Sequence, residues 1–142
     1  MDLLVVDYVG LVTPQDSKAP RQEQVASISR RLKALARDLR VPIVCLAQLN
    51  RLADSGGDSR PKLSHLRESG SLEQDADVVL FLYRPAYYDK TKSRDSSKPE
   101  KAEIIVAKNR NGPVGSVDVM WFDSIGRFEN ASNGMEWQPY KE

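Results

Sequence analysis

Leu3-Leu4-Val5-Val6 is apolar at every position and closes on Asp7. A run without polar alternation is the pattern of a strand covered on both faces of a parallel sheet. Residues 13–20 are polar and turn-rich and predict a loop. From Arg21 to Leu39, Val25, Ile28, Leu32, Leu35 and Leu39 recur at alternating steps of three and four, one apolar stripe along a helix. Arg30, Arg31, Lys33 and Arg37 fall mostly off that stripe and read as a solvated basic face. Val41-Pro42 stops the helix, because proline disfavours helical geometry in the residue before it. Ile43 to Ala47 is a second apolar run, ending at Gln48. Strand, helix, strand with a short return is a βαβ unit, so the two strands are expected to be parallel.

Farther along, residues 52–62 carry Gly56-Gly57 and Pro61 and predict a surface loop. Leu63 to Asp75 reads as short helical turns, with Ser71 and Gln74 spaced as a capping box. Val78 to Tyr83 is a third apolar strand. Residues 84–101 are polar, charged and serine-rich and predict an exposed loop, to which no function attaches. Ala102 to Ala107 and Ser116 to Phe122 are strands joined through an Asn-Gly-Pro turn, a strong hairpin signal. The stretch from Glu129 onward has little pattern. The division expected is a main domain over 1–130 and a tail over 131–142.

Composition narrows the class only slightly. The chain has 142 residues, 40% of them apolar and 29% charged, enough for one domain with one core. Lys+Arg is 21 against Asp+Glu 20, a formal net charge of +1, so a nucleic-acid role has to come from local placement. Cys45, the one cysteine, lies inside an apolar run and reads as a small buried hydrophobe in a reducing compartment. No apolar run approaches the ~20 residues that span a bilayer. A cytoplasmic protein is expected.

The candidate chemistry sits at strand ends. Asp7 ends a buried strand where α/β sheets bind ligands. Near a triphosphate it would hold Mg²⁺ through the ion's water shell; as a loop cap it would do nothing of the kind, and the motif alone does not separate the two. Gln48 ends the neighbouring strand, where an amide could sense a γ-phosphate or simply face water. Lys108 and Arg110 alternate by two, so in extended geometry they share a face. They suit phosphate oxygens, Arg as a fork and Lys as a point charge, and otherwise decorate a hairpin tip. Leu66-Arg67-Glu68-Ser69-Gly70-Ser71 offers a cation, a glycine for close backbone approach and hydroxyls, a set suited to a nucleic-acid backbone or to a plain helix-entry loop. His65, the single histidine, has no cysteine or histidine at ligand spacing. An acid at one strand end and cations at another are parts of a phosphate site, yet no Gly-x-x-x-x-Gly-Lys-Ser/Thr cradle occurs in the sequence. The cations would then act on a nucleotide held by a neighbouring subunit.

Five ordered segments carry a resemblance: Leu3 to Tyr8, Ser29 to Ala36, Ala47 to Arg51, Leu66 to Asp77, and Lys108-Asn109-Arg110-Asn111-Gly112-Pro113. Together, from about residue 3 to residue 130, they resemble the bacterial replicative DNA helicase, the DnaB family. The resemblance implies a RecA-like P-loop NTPase core, an α/β fold of three layers with a mainly parallel sheet, here truncated on its N-terminal side and carrying a C-terminal β-hairpin. It implies ATP and Mg²⁺ as cofactors, single-stranded DNA as substrate track, a homohexamer, and primase and a helicase loader as partners in the replisome. Asp7 then resembles the Walker B aspartate, and Gln48 the glutamine that couples nucleotide state to DNA. Arg67, Glu68 and Gly70 resemble the loop that grips DNA in the central channel, and Lys108 and Arg110 the cations that cross to the neighbour's γ-phosphate.

The departures are specific. The Walker A region is missing, as is the upstream glutamate that activates water; Tyr8 follows Asp7, so no base adjoins it. The N-terminal domain that recruits primase and the linker helix are missing too. The sheet is therefore expected to lack its central strand, between the strand ending at Gln48 and Val78 to Tyr83, and the isolated chain to be marginally stable without ATPase activity. Two other readings compete. One is a non-catalytic RecA-fold DNA-binding or assembly module. The other is a different RecA-like ATPase such as a recombinase, against which the Arg67 to Asp77 run speaks.

Overall fold

The computed structural model describes residues 1–49, 60–88, 97–131 and 138–139. The chain divides into two compact units, Met1–Leu52 with Leu63–Ala76, and Ala53–Lys62 with Asp77–Glu142. Length alone suggests one core; the buried side chains instead fall into two clusters, one in each unit.

The first unit begins with β1 (Leu4–Val6) and a 3-10 turn at Val9–Leu11. Helix α1 then runs from Arg21 to Leu39, as its periodicity predicts. No side chain caps its start. Gln24 instead folds back to donate to the carbonyls of Ala19 (2.8 Å) and Ser17 (3.2 Å), fastening the preceding loop to the first turn. Its end is a Schellman motif. Arg40 sits in the left-handed region at φ 53°, its N–H bonds Arg37, and the N–H of Val41 reaches back to Ala36 at 3.1 Å. The turn therefore ends the helix before Pro42 is reached.

Strand β2 (Ile43–Cys45) returns parallel to β1, pairing Leu4 with Ile43, Val5 with Val44 and Val6 with Cys45. The βαβ expectation holds. A 3-10 segment (Leu63–Ser69) leads directly into α2 (Gly70–Asp75). Ser71 is thus the second helical residue and not the cap that its spacing to Gln74 suggests. Val9, Val25, Ile28, Ser29 and Leu66 are buried here. The α1 stripe is covered only in its first half; Leu35 and Leu39 remain 39% and 47% exposed.

The second unit is one five-stranded sheet, order β3-β4-β5-β6 with β7 also on β5. Its strands are β3 (Val78–Tyr83), β4 (Glu100–Asn109), β5 (Gly115–Phe122), β6 (Arg127–Asn130) and β7 (Gln138–Pro139). Every pairing in it is antiparallel. Among the described residues, the parallel pairing expected through most of the sheet is confined to β1 and β2. The reason is local: turns as short as those at 110–114 and 123–126 can only return a strand antiparallel. Phe81, Ala102, Ile105, Ala107 and Val119 form the buried cluster, Ile105 being wholly enclosed.

The polar stretch after β3 is more structured than its composition suggests. A short helix, α3 (Pro85–Tyr88), follows Arg84, and β4 begins two residues earlier than the apolar pattern does. Arg84 explains this. Its Nη2 donates to Glu100 at 2.7 Å and approaches Asp123 at 3.4 Å, and its guanidinium lies 4.6 Å from the Trp121 ring centre. One cation thus pins the end of β3 to the start of β4 and the end of β5. Residues 89–96, within the loop expected over 84–101, and 52–59, within that over 52–62, lie outside the described residues, as do 50–51 and, of the expected tail, 132–137 and 140–142.

Among the described residues, β2 and β3 belong to separate sheets. Val5 and Val44, register partners, are 56% and 51% exposed, and Leu80 and Leu82 on β3 are 57% and 62% exposed. Apolar runs of this kind are expected to be covered on both faces. Among the described residues, each has one face bare.

Candidate functional site

The parallel register of β1 and β2 brings two candidates to one edge. Val6 is level with Cys45, and the N–H of Leu46 donates to Val6 at 2.9 Å while the N–H of Val9 donates to Leu46 at 2.9 Å. Asp7 directly follows β1, whereas β2 ends at Cys45 and not at the expected Ala47, so Gln48 lies three residues past it; both are beyond the C-terminal ends of parallel strands, the side on which open α/β sheets bind ligands. Both are exposed. A single exposed carboxylate fits Mg²⁺ held through water beside phosphates, and does not suit an all-protein cage. Among the described residues no cluster of three metal-ligating side chains exists. Cys45, half-buried on β2, has its thiol pushed above the ordinary range by burial, which lowers its thiolate fraction.

Arg67 and Glu68 lie in the 3-10 segment, and Gly70 opens α2. A Cβ added at Gly70 would meet no atom within 4 Å. Among the described residues, packing does not require glycine there. The Ser29 hydroxyl on α1 donates to Asp75 at the far end of α2, at 2.7 Å.

The cationic tip belongs to the second unit. β4 pairs with β3 up to Val78↔Asn109, with a register shift between Val79 and Leu80 that leaves Ala107 as an extra residue. This β-bulge re-aims the strand end. Lys108, opposite Val79, is half-buried. The strand ends at Asn109, so Arg110 begins the turn and the period-two alternation that puts it on one face with Lys108 does not extend to it. The turn is built by Asn109: its Oδ1 accepts the N–H of Asn111 and its Nδ2 donates to Pro113, both at 3.3 Å. A Cβ at Gly112 would lie 2.6 Å from that Nδ2, so the Asn109 amide would have to move to admit one. The N–H of Arg110 donates to the Asp77 carbonyl at 2.8 Å, and its Nη1 lies 3.3 Å from the Asp77 carboxylate. The Arg110 side chain is 51% exposed.

Asp77 is the residue that sequence reading missed as a partner. It was visible only as the last residue of a matching segment. Asp7 and Gln48 are placed in the first unit, Lys108 and Arg110 in the second.

The sheet-edge acid and amide and the helical-turn segment stand in the first unit, and the braced, half-exposed arginine tip in the second. Comparison with known proteins defines the class. The family model for the DnaB-like helicase C terminal domain matches residues 1–130. The replicative DNA helicase DnaB of Geobacillus stearothermophilus is 48% identical over 92% of this chain, and the Haemophilus influenzae DnaB 43% identical over 97%. Among solved structures, an isolated ATPase domain superposes with a TM-score of 0.83 at 43% identity, covering 92% of this chain and 44% of that one. A DnaB-like replicative helicase, solved in a study of its interactions with primase, gives 0.82 at 44% identity, covering 92% of this chain and 31% of that one. This chain belongs to the DnaB-like helicase C-terminal domain family. It spans 28% and 29% of the length of those two curated relatives.

Proposed function

We propose that this chain is the part of a hexameric, ATP-driven replicative DNA helicase that carries the Walker B acid, the nucleotide-sensing amide, the DNA-gripping segment and the cations donated to a neighbouring subunit. The helicase would translocate on single-stranded DNA and unwind the duplex at the fork. The observation that carries this reading is the Arg110 tip. It is fixed at the backbone by Asp77, shaped by Asn109 and Gly112, and left half exposed, so its guanidinium is available to a nucleotide on another protomer. A cation used this way is worth ~10³–10⁵ in rate where it has been measured.

Each role follows from side-chain chemistry. Asp7 would orient Mg²⁺ through water; the ion, when bound, neutralises phosphate charge. Gln48, leaving the same sheet edge, would exchange hydrogen-bond partners as the γ-phosphate comes and goes. Arg67, Glu68 and the Gly70 backbone would track the DNA phosphates. Lys108 would add a point charge beside Arg110. Primase and a loader are the partners proposed for the assembled protein, and the cytoplasmic nucleoid its location; no helix among the described residues is long and apolar enough to cross a membrane.

Arg110→Ala in the complete protein tests the reading. Hydrolysis should be abolished while nucleotide binding is largely kept; equal loss of both removes Arg110 from the trans role. The 142-residue chain alone should show no ATPase, and turnover by that chain without added subunits refutes the split site.

A further inference from the structure

We infer that Asp77 is a positioning residue for Arg110: its carboxylate presets the direction of the guanidinium before the phosphate arrives, and yields it when the phosphate does. The inference rests on the trans role proposed for Arg110. Two separate interactions carry it. The Asp77 carbonyl accepts the Arg110 N–H at 2.8 Å, which fixes where the arginine leaves the chain. The Asp77 carboxylate lies 3.3 Å from Nη1, which fixes where the side chain heads. Strand alternation does not set that direction, because β4 ends at Asn109.

The geometry is that of a hold which can be exchanged. Arg84 and Arg60 meet carboxylates at 2.7 Å, with side chains 21% and 29% exposed against partners at 15% and 14%. Those arginines brace the sheet. The Arg110–Asp77 pair is longer, and its two side chains are 51% and 50% exposed. A solvated pair of this kind contributes little to stability. A phosphate carries more charge and more acceptor oxygens than a carboxylate, so it competes well for the same fork. Asp77 can thus restrict the rotamers of Arg110 without holding it back. Its position is itself fixed, since the next residue, Val78, pairs with Asn109 at the base of the turn.

A positioning group of this type acts on the chemical step and leaves ground-state nucleotide binding alone. In the complete assembled protein, Asp77→Ala should lower kcat for ATP by about fivefold to tenfold while KM stays within about twofold. Asp77→Glu, which keeps the charge, should restore at least about half of the loss. Asp77→Asn, which keeps the shape and removes the charge, should lower kcat by about threefold and serves if the alanine variant does not assemble. An unchanged kcat in Asp77→Asn or Asp77→Ala, alongside abolished turnover in Arg110→Ala, overturns this inference and leaves the proposed function standing. Normal turnover in Arg110→Ala overturns the proposed function instead. A fall in kcat with a matching rise in KM, unrelieved by Asp77→Glu, reduces Asp77 to a structural residue and also overturns the inference.

Discussion

The hydroxyl of Ser29, buried on α1, donates to the Asp75 carboxylate at the end of α2 across 2.7 Å. This bond helps fasten α2, which follows Arg67 and Glu68 and begins at Gly70, to the long helix. Hydrogen bonds to charged groups contribute about 1.5–3 kcal/mol, and removal of one partner leaves the other desolvated. Ser29→Ala should cost about 2 kcal/mol in urea unfolding. It should also weaken single-stranded DNA binding in the complete protein. Full affinity in a variant of reduced stability would separate the bond from the DNA role.

Two glycines should behave oppositely. At Gly112 a methyl group would press on the Asn109 amide and break the turn, so Gly112→Ala should lose about 1 kcal/mol and most ATPase activity. At Gly70 the same methyl meets nothing and sits in a helix, so Gly70→Ala should be neutral or stabilising by up to about 1 kcal/mol. DNA affinity, measured by fluorescence anisotropy, should nonetheless fall for Gly70→Ala if the DNA backbone passes close to it.

Arg67→Ala should reduce DNA affinity for all sequences alike. The slope of log K against log salt should shrink by about 1, as expected when one cation is withdrawn from a phosphate. An unchanged slope removes Arg67 from the DNA backbone.

Arg84 joins three strand ends through Glu100, Asp123 and the Trp121 ring. Arg84→Ala should cost about 2–3 kcal/mol, because it deletes a charge-assisted hydrogen bond and a cation–π interaction together. Arg84→Lys should recover only part, because a point charge cannot serve carboxylate and ring at once. Thermal unfolding of the two variants checks the order.

Alkaline pH is where titration should matter. Burial raises the Cys45 thiol, and the hydrogen bond to Asp118 chiefly raises Lys101, whose ammonium lies 2.8 Å from that carboxylate. Both groups hold their protons more tightly when folded. Their stabilisation is therefore complete below the unfolded values, about 8.5 and 10.4, and is lost as pH rises through the folded ones. These two groups should leave stability flat between about pH 6 and 8. Cys45 should react with iodoacetamide more slowly at about pH 8 than the same cysteine in urea; equal rates would contradict its burial.

The sequence by itself determined the elements whose signals are local. The 3.6-residue stripe gave α1 its bounds, Arg21 to Leu39, and the unbroken apolar run gave β3 its own. The parallel return of β2 on β1 followed from a helix between two buried runs. Ordered motifs marked Asp7, Gln48, Arg67, Glu68, Gly70, Lys108 and Arg110 as candidates. Tertiary structure alone decided what those residues lean on. The Asp77 carboxylate reaches Arg110, and Ser29 reaches Asp75, through strand register and helix packing that no nearby residue encodes. The bulge at Ala107 changes which way the strand end faces, and a single extra residue inside an apolar run leaves no mark on its hydrophobicity. β6 and β7 formed because β5 offered free backbone groups to pair, not because their own residues alternate. Local periodicity is written in neighbours along the chain; tertiary partners are written in the register between distant segments, and only the folded chain reads that.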